Sequence, residues 1–464
     1  MYEITIDGQK ADLNFGESVV LERHNPLLNF DTIPGAIVND FQLPFSPKND
    51  QIFNFAVHSQ TRFTKRSYYC EKKADGVVIE KGTIELIDIS ADGYVVAFTS
   101  NLSEFFGDYQ RIMLNKLALG SETIPVSPEK NPDYLTAKYC WPTVLNAEFY
   151  GTEVQAGWNG KMNEWTGAVL NAHARVPMMF FRFVLDKLAT LCNFTYSGSF
   201  VDSEVFKRLL IYNTFSLDDA TSISYANHLP ELSVIDLFLE LRKLLNLRIT
   251  LNPASRVVSI DFGDAYFGQS AKLDWTTKAV PTKSRSPIRD NRLELDWEID
   301  SNDGVLKVVP ADFDVYRTVG DGFLFPIKSA FSTLKKDVGG FSITSQKGIT
   351  PRFAQGGEKF SPRLLFWNGN SVATNEYSTY RLAWNGANSI PVRFWANFEK
   401  FRLNTAYKTN PINLNAVDVA AINWIEPDAE NIIYIKGKEY AIDYMKVILP
   451  LEGVAEIGLF ERNF

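Results

Sequence analysis

The stretch Leu229–Phe262, LPELSVIDLFLELRKLLNLRITLNPASRVVSIDF, carries the most legible punctuation in the chain. Ser233 is suited to accept from the free amides of a first helical turn, and Asp236 three positions on can reach back to complete a capping box. A helix is therefore predicted from Val234. Val234, Phe238, Leu241 and Leu245 recur at helical spacing with Leu237 and Leu244 beside them, while Glu240, Arg242 and Lys243 fill what reads as the wet side. Asn246 is a tolerated left-handed helix end. Leu247–Leu251 then alternates with period two, Asn252-Pro253-Ala254-Ser255 turns the chain, and Arg256–Phe262 alternates again. The unit is helix, strand, turn, strand, with no catalytic group inside it.

Working outward towards the N-terminus, residues 1–107 read as antiparallel β. Asp75-Gly76 and Asp92-Gly93 each separate two strand-like runs, and Asp-Gly supplies the positive φ angles of a tight hairpin. The alternation from Ile84 through Val95 to Thr99 is imperfect, as in a sheet that curls on itself, so a small closed or nearly closed barrel is expected. Pro34, Pro44 and Pro47 point to edge or loop positions. Leu102–Phe106, ended by Gly107, reads as a short closing helix.

Residues 108–300 read as an α+β middle region, with helices near 177–192, 202–210 and 234–246. Pro177 stands at a first-turn position before the apolar face Phe180, Phe181, Val184, Leu185, Leu188 and Leu191, and Asp202 reads as the cap of the next helix. Residues 301–464 are strand-like, with a helical interruption expected around Trp395–Leu403 and a turn at Lys436-Gly437-Lys438. Trp158-Asn159-Gly160, Trp367-Asn368-Gly369 and Trp384-Asn385-Gly386 read as three independent Asn-Gly turns rather than a repeat. The expected fold class is thus α+β and β-rich, with two small antiparallel β-barrel domains flanking a mixed middle.

Composition narrows the function classes. Apolar residues at 45% and charged residues at 22% describe a globular chain whose 464 residues exceed one ordinary core. A net charge of −8 argues against nonspecific nucleic-acid binding as the main role, which needs clustered Lys and Arg, without excluding a wall along which DNA slides. The N-terminus has no basic, apolar leader, and the most apolar window, Pro177–Cys192, is too short to cross a bilayer, so cytoplasmic synthesis without a membrane-spanning segment is expected. Cys70, Cys140 and Cys192 are far apart and without CxxC spacing, which reads as reduced structural thiols.

Reactive motifs are scarce. His24, His58, His173 and His228 do not fall at metal-ligand spacing, and the nucleophile-elbow, zinc-protease and phosphate-loop patterns are missing. Paired acids could serve a glycosidase: Asp300 with Asp303, or Glu294 with Asp296 and Glu298. Period-two spacing puts the latter three on one strand face, for which a solvated surface is the simpler reading, and Asp300–Gly304 fails as a calcium loop because its glycine and its final acid are misplaced. Two basic stretches, Lys272 to Arg292 and Lys328 to Arg363, could meet an acidic partner protein or DNA, but solvated surface is the simpler reading. No catalytic, cofactor-binding or metal residue is assigned.

The chain resembles the tail-hub proteins of bacteriophages, in the version found in phages of Bacteroidetes-type bacteria. The resemblance is carried by Leu43–Asp50 (LPFSPKND), Asn101–Gly107 (NLSEFFG), Cys140–Tyr150 (CWPTVLNAEFY), Phe194–Phe200 (FTYSGSF), Leu210–Asn213 (LIYN), His228–Phe238 and Asp296–Asp303. It implies a non-enzymatic virion protein at the tail tip or baseplate, assembled as a homotrimer whose paired barrels form a ring of six. Such a ring joins a hexameric tail tube or distal tail protein to a trimeric spike, tape-measure or fibre protein and lines the channel through which DNA passes unbound. The two ends of this chain share no evident sequence similarity, which departs from the paired-barrel pattern. A receptor- or carbohydrate-binding tail protein and a glycoside hydrolase are the alternatives; an outer-membrane barrel is remote because long alternating membrane strands are missing.

Overall fold

The computed structural model describes residues 2–14, 18–32, 37–38, 41–61, 67–99, 105–153, 155–252, 255–281, 285–350, 359–422, 432–451 and 453–463. The chain is β-rich with interspersed helices, an α+β protein.

The deciding stretch folds as its punctuation dictates. A helix spans Val234–Leu245, with the Ser233 hydroxyl accepting from the Asp236 amide at 3.1 Å and the Asp236 carboxylate accepting from the Ser233 amide at 3.4 Å. Asn246 ends it in the left-handed region at φ 49°. Leu247–Asn252 then pairs antiparallel with Val257–Phe262, and Thr195–Ser197 joins the second strand in parallel. The turn residues Pro253 and Ala254 lie outside the described residues. One part of the reading is corrected: Arg242 is not on a wet face but fully buried, because another segment covers that side of the helix.

Further helices lie at Phe181–Cys192 and Glu204–Arg208. The first starts after Phe180 rather than at Pro177, since Met178–Phe180 is committed to a strand between Tyr139–Cys140 and Leu209–Tyr212. The second is capped by Ser203, whose hydroxyl accepts from the Phe206 amide. Arg363–Gly369 extends this sheet beside Leu209–Tyr212, and Val372–Thr374 closes it. These elements enclose the larger core, which contains Phe181, Leu237, Leu241, Trp297, Leu364 and Trp395.

Strands from both ends of the chain meet in one 14-stranded sheet. An N-terminal run is built on Tyr2–Ile6, Ser67–Ala74, Val77–Ile89 and Gly93–Thr99, and a C-terminal run on Lys438–Leu449, Ala455–Arg462 and Ala406–Ile412. Val19–His24 joins them, pairing antiparallel with Lys438–Leu449 from Val19↔Leu449 to His24↔Tyr444. A second core serves this sheet, drawing Ile4, Cys70, Ile84 and Val96 from one run and Ile412, Ile442 and Ile457 from the other.

Several local expectations meet different physics. Asp75 and Gly76 have φ of 47° and 80°, as a tight hairpin requires, and so do Lys436 and Gly437 at 47° and 88°. Gly93 is different: its φ is not positive, and glycine is needed because a Cβ there would lie 2.3 Å from the Leu43 carbonyl oxygen. Pro47 opens a helix, Pro47–Ile52, capped by Ser46, where an edge or loop was expected. The strand Arg363–Gly369 runs through Trp367-Asn368-Gly369, and the reversal falls afterwards at Asn370 and Ser371, φ 49° and 61°. Ala396–Leu403 is helical, and a further helix, Ala416–Ala421, lies in the stretch read as strands. The expected helix at Leu102–Phe106 lies partly outside the described residues.

Candidate functional site

The acids singled out as a possible catalytic pair converge on one arginine. Arg363 Nη2 is 3.0 Å from an Asp300 oxygen, and its Nη1 is 2.7 Å from Asp303 Oδ2; all three side chains are buried. Asp303 is saturated further by the amides of Val305 at 3.0 Å and Ser345 at 2.8 Å and by the Thr344 hydroxyl at 2.6 Å. Asp300 accepts from the Asn302 amide at 2.9 Å. Arg363 is delivered by its strand, where it pairs with Tyr212, whose ring centroid lies 5.7 Å from the guanidinium. Burial pushes the Tyr212 hydroxyl well above the usual tyrosine range. Each carboxylate thus faces a guanidinium or backbone amides, the chemistry of an internal ion cluster rather than of acids turned towards a sugar ring.

Glu294, Asp296 and Glu298 are not brought to that cluster's chemistry. Leu293, Leu295 and Trp297 of the strand Arg292–Trp297 are buried, so the acids project from the opposite face, where Glu294 pairs with Arg317 at 2.7 Å. His24 meets Glu22 at 2.9 Å, His173 meets Gln155 at 3.0 Å, and His58 lies on the surface against Phe55. His228 is fully buried, with Nδ1 3.2 Å from the Asn213 side-chain oxygen; burial draws its imidazole down to about 3. Among the described residues, no group of His, Cys, Asp and Glu could hold a metal ion. The three cysteines are free and buried, and no described helix is long and apolar enough to cross a membrane.

Sequence reasoning missed the buried cations. Arg363, which by sequence belongs to a basic stretch expected at the surface, is instead the hub of the ion cluster. Other members of the two stretches make ion pairs with distant parts of the chain: Lys278 with Asp418, Arg285 with Glu461 at 3.0 Å, Lys336 with Glu376 and Lys359 with Glu231.

Arg242 marks the joint between the two cores. The segment 25–32 leaves the large sheet, anchored by Asn25 through its amide to the Asp443 carbonyl and its side chain to the Ile442 carbonyl, both at 2.7 Å. It inserts Leu27 and Phe30 into the larger core, where the Phe30 ring lies 5.1 Å from Trp395 and 5.6 Å from Phe398. Arg242 fastens the segment by donating to the carbonyls of Pro26 and of Thr32, the latter at 2.9 Å, with its guanidinium 5.0 Å from the Phe30 ring. Burial lowers the Arg242 guanidinium to about 9. A cleft of about 750 Å³ lies beside this joint, lined among others by His24, Asp31, Lys243, Lys328 and Asp443. Its charges are mixed in sign, and Lys243 is engaged by Glu240 at 2.9 Å. Of the eight described tryptophans, Trp141, Trp275, Trp297, Trp367, Trp384 and Trp395 are buried and cannot stack on a sugar.

Neither a protein-family model nor a curated protein matches the chain. Among solved structures, a 43 kDa tail protein of prophage MuSo2 from Shewanella oneidensis is similar at 8% identity and a TM-score of 0.39, covering 99% of this chain and 97% of that one. The tail protein from Neisseria meningitidis MC58 is similar at 11% identity and a TM-score of 0.38, covering 99% and 96%. The prophage tail protein gp18 from Listeria monocytogenes EGD-e is similar at 8% identity and a TM-score of 0.37, covering 100% and 94%. Overlaps this loose assign neither fold nor function to this chain.

Proposed function

We propose that the chain is a structural protein of a phage tail, acting as a trimeric hub between a hexameric tube and a trimeric spike or fibre. The reading rests on the sequence resemblance, and the observation that best supports it is the architecture: strands from both ends of the chain form one large sheet with its own core, fastened to a mixed body with another. In the proposed form the N-terminal strands of 1–107 and the C-terminal strands of 301–464 supply two barrel-like units beside a body built on the middle region 108–300. Three copies then give six such units around a channel through which DNA passes without being held. Asp300 and Asp303, one of the two acid sets a hydrolase could use, are engaged by Arg363, which favours a role without turnover. Burial of most tryptophans weighs against the carbohydrate-binding alternative.

Obligate interfaces of this kind bury on the order of 2,000 Å² or more, so the trimer should persist on dilution. Native mass spectrometry over a range of concentrations tests this, with three copies the expected mass. Because a free subunit can await its partners, the decisive measurement is a reconstruction of the particle. Density for this chain away from the tail tip, or without threefold symmetry, would overturn the proposal.

A further inference from the structure

The large sheet buries a lysine without a hydrogen-bonding partner. Strand Ser67–Ala74 turns Tyr68, Cys70, Lys72 and Ala74 inward, so alternation alone carries Lys72 into the core. On the neighbouring strand the register slips between Lys72↔Glu80 and Lys73↔Val78, and the extra residue leaves both Ile79 and Glu80 buried. Arg23 reaches the same place from Val19–His24. Its Nη2 lies 3.2 Å from Glu80 Oε2 and also donates to the Ile79 carbonyl. Its Nη1 donates to the carbonyls of Val419 at 2.6 Å and Ile422 at 3.0 Å, at the C-terminal end of the helix Ala416–Ala421. Arg23 thereby ties the N-terminal run to a helix of the C-terminal part, with Glu80 as its counter-ion.

Lys72 is left with aromatic rings. Its Nζ sits 3.4 Å from the centroid of Phe98 and 5.9 Å from that of Phe41, and it makes no hydrogen bond. A ring face attracts an ammonium but does not replace the water lost from three N–H groups. We propose that Lys72 is a proton-operated latch: when it takes up a proton, one carboxylate, Glu80, must serve two buried cations, and the grip of Arg23 on the helix Ala416–Ala421 weakens.

The ionisable groups facing Lys72 are Glu80, Arg23 and Cys70. Burial is the dominant influence and draws the amine down to about 7; Glu80 opposes this and Arg23 reinforces it. Cys70 is itself pushed up to about 12 by burial, so it stays a neutral thiol through the relevant range. The sign follows from linkage. Between about 7 and the ordinary lysine value of 10.5 the unfolded chain binds more protons than the folded one, so stability rises with pH across that window. Below it the cost of the buried charge is fully present.

The test is hydrogen exchange of the full chain over 416–422, corrected for the intrinsic pH dependence of exchange, together with urea unfolding at pH 6 and pH 9. Wild type should open at least about tenfold more readily at pH 6, and Lys72→Met should remove the difference. If that variant fails to fold, nitrogen NMR of the Lys72 side chain in wild type decides, with titration near neutrality expected. The same pH dependence in Lys72→Met, or a Lys72 that titrates near 10, would overturn the latch.

Discussion

Arg363 and Asp303 meet at 2.7 Å in a place where neither side chain reaches solvent. Removing the cation alone would leave Asp303 and Asp300 buried and uncompensated. Arg363→Met should therefore cost about 3–5 kcal/mol in urea unfolding. Converting both acids to Asn in the same chain should recover part of that loss. A midpoint unchanged in Arg363→Met would show that the cluster holds nothing together.

The joint at Phe30 makes a separate prediction. Phe30→Ala removes a ring packed on Trp395 and Phe398 and should cost about 3–5 kcal/mol. It should also expose the segment 25–32, so limited proteolysis should cut there faster than in wild type. Arg242→Met, which keeps much of the side-chain volume, should raise the cutting rate as well, because two carbonyls lose their donor.

Capping of the helix Val234–Leu245 sets a smaller, local effect. Ser233→Ala should lower stability by about 1 kcal/mol in thermal or urea unfolding. Asn246→Gly keeps the left-handed φ of 49° but removes the buried hydrogen bond from the Asn246 side chain to the Phe394 carbonyl, so it should cost about 1–3 kcal/mol in the same measurement.

Two glycines separate conformational from steric need. Gly93→Ala places a methyl group 2.3 Å from the Leu43 carbonyl oxygen and should cost about 1–3 kcal/mol through displacement of the strand Phe41–Pro44. Gly76→Ala meets open space, and only its φ of 80° opposes the change, at about 1–2 kcal/mol. Thermal unfolding of both variants, with amide exchange read at residues 41–43, distinguishes them: only the first should disturb that strand.

What the sequence disclosed was local. Ser233, Asp236 and Asn246 act within one turn of where they stand in the chain, so their spacing could be read directly, and the same holds for Asp75-Gly76 and Lys436-Gly437. The acids Glu294 and Asp296 were legible too, because alternation with Leu293, Leu295 and Trp297 is a property of one strand. What escaped was set by distant segments. Arg242 reads as a solvent-facing helix residue until 25–32 covers it, and Arg363 reads as one charge in a basic stretch until Asp300 and Asp303 are folded against it. Lys72 escaped for a different reason: alternation with Tyr68 and Cys70 puts it on the inward face, but a lysine between Glu71 and Lys73 in SYYCEKKA reads as one more solvated charge.

The pairing of Val19–His24 with Lys438–Leu449 also has a meaning in time. A ribosome releases the first of these strands on the order of tens of seconds before the second, at ordinary elongation rates. Throughout that interval the early strand lacks the neighbour that completes its hydrogen bonding, and open edges of this kind invite pairing with other chains. The N-terminal run must therefore wait for the last strands to emerge, so a prematurely terminated product would carry an adhesive edge in place of a finished surface.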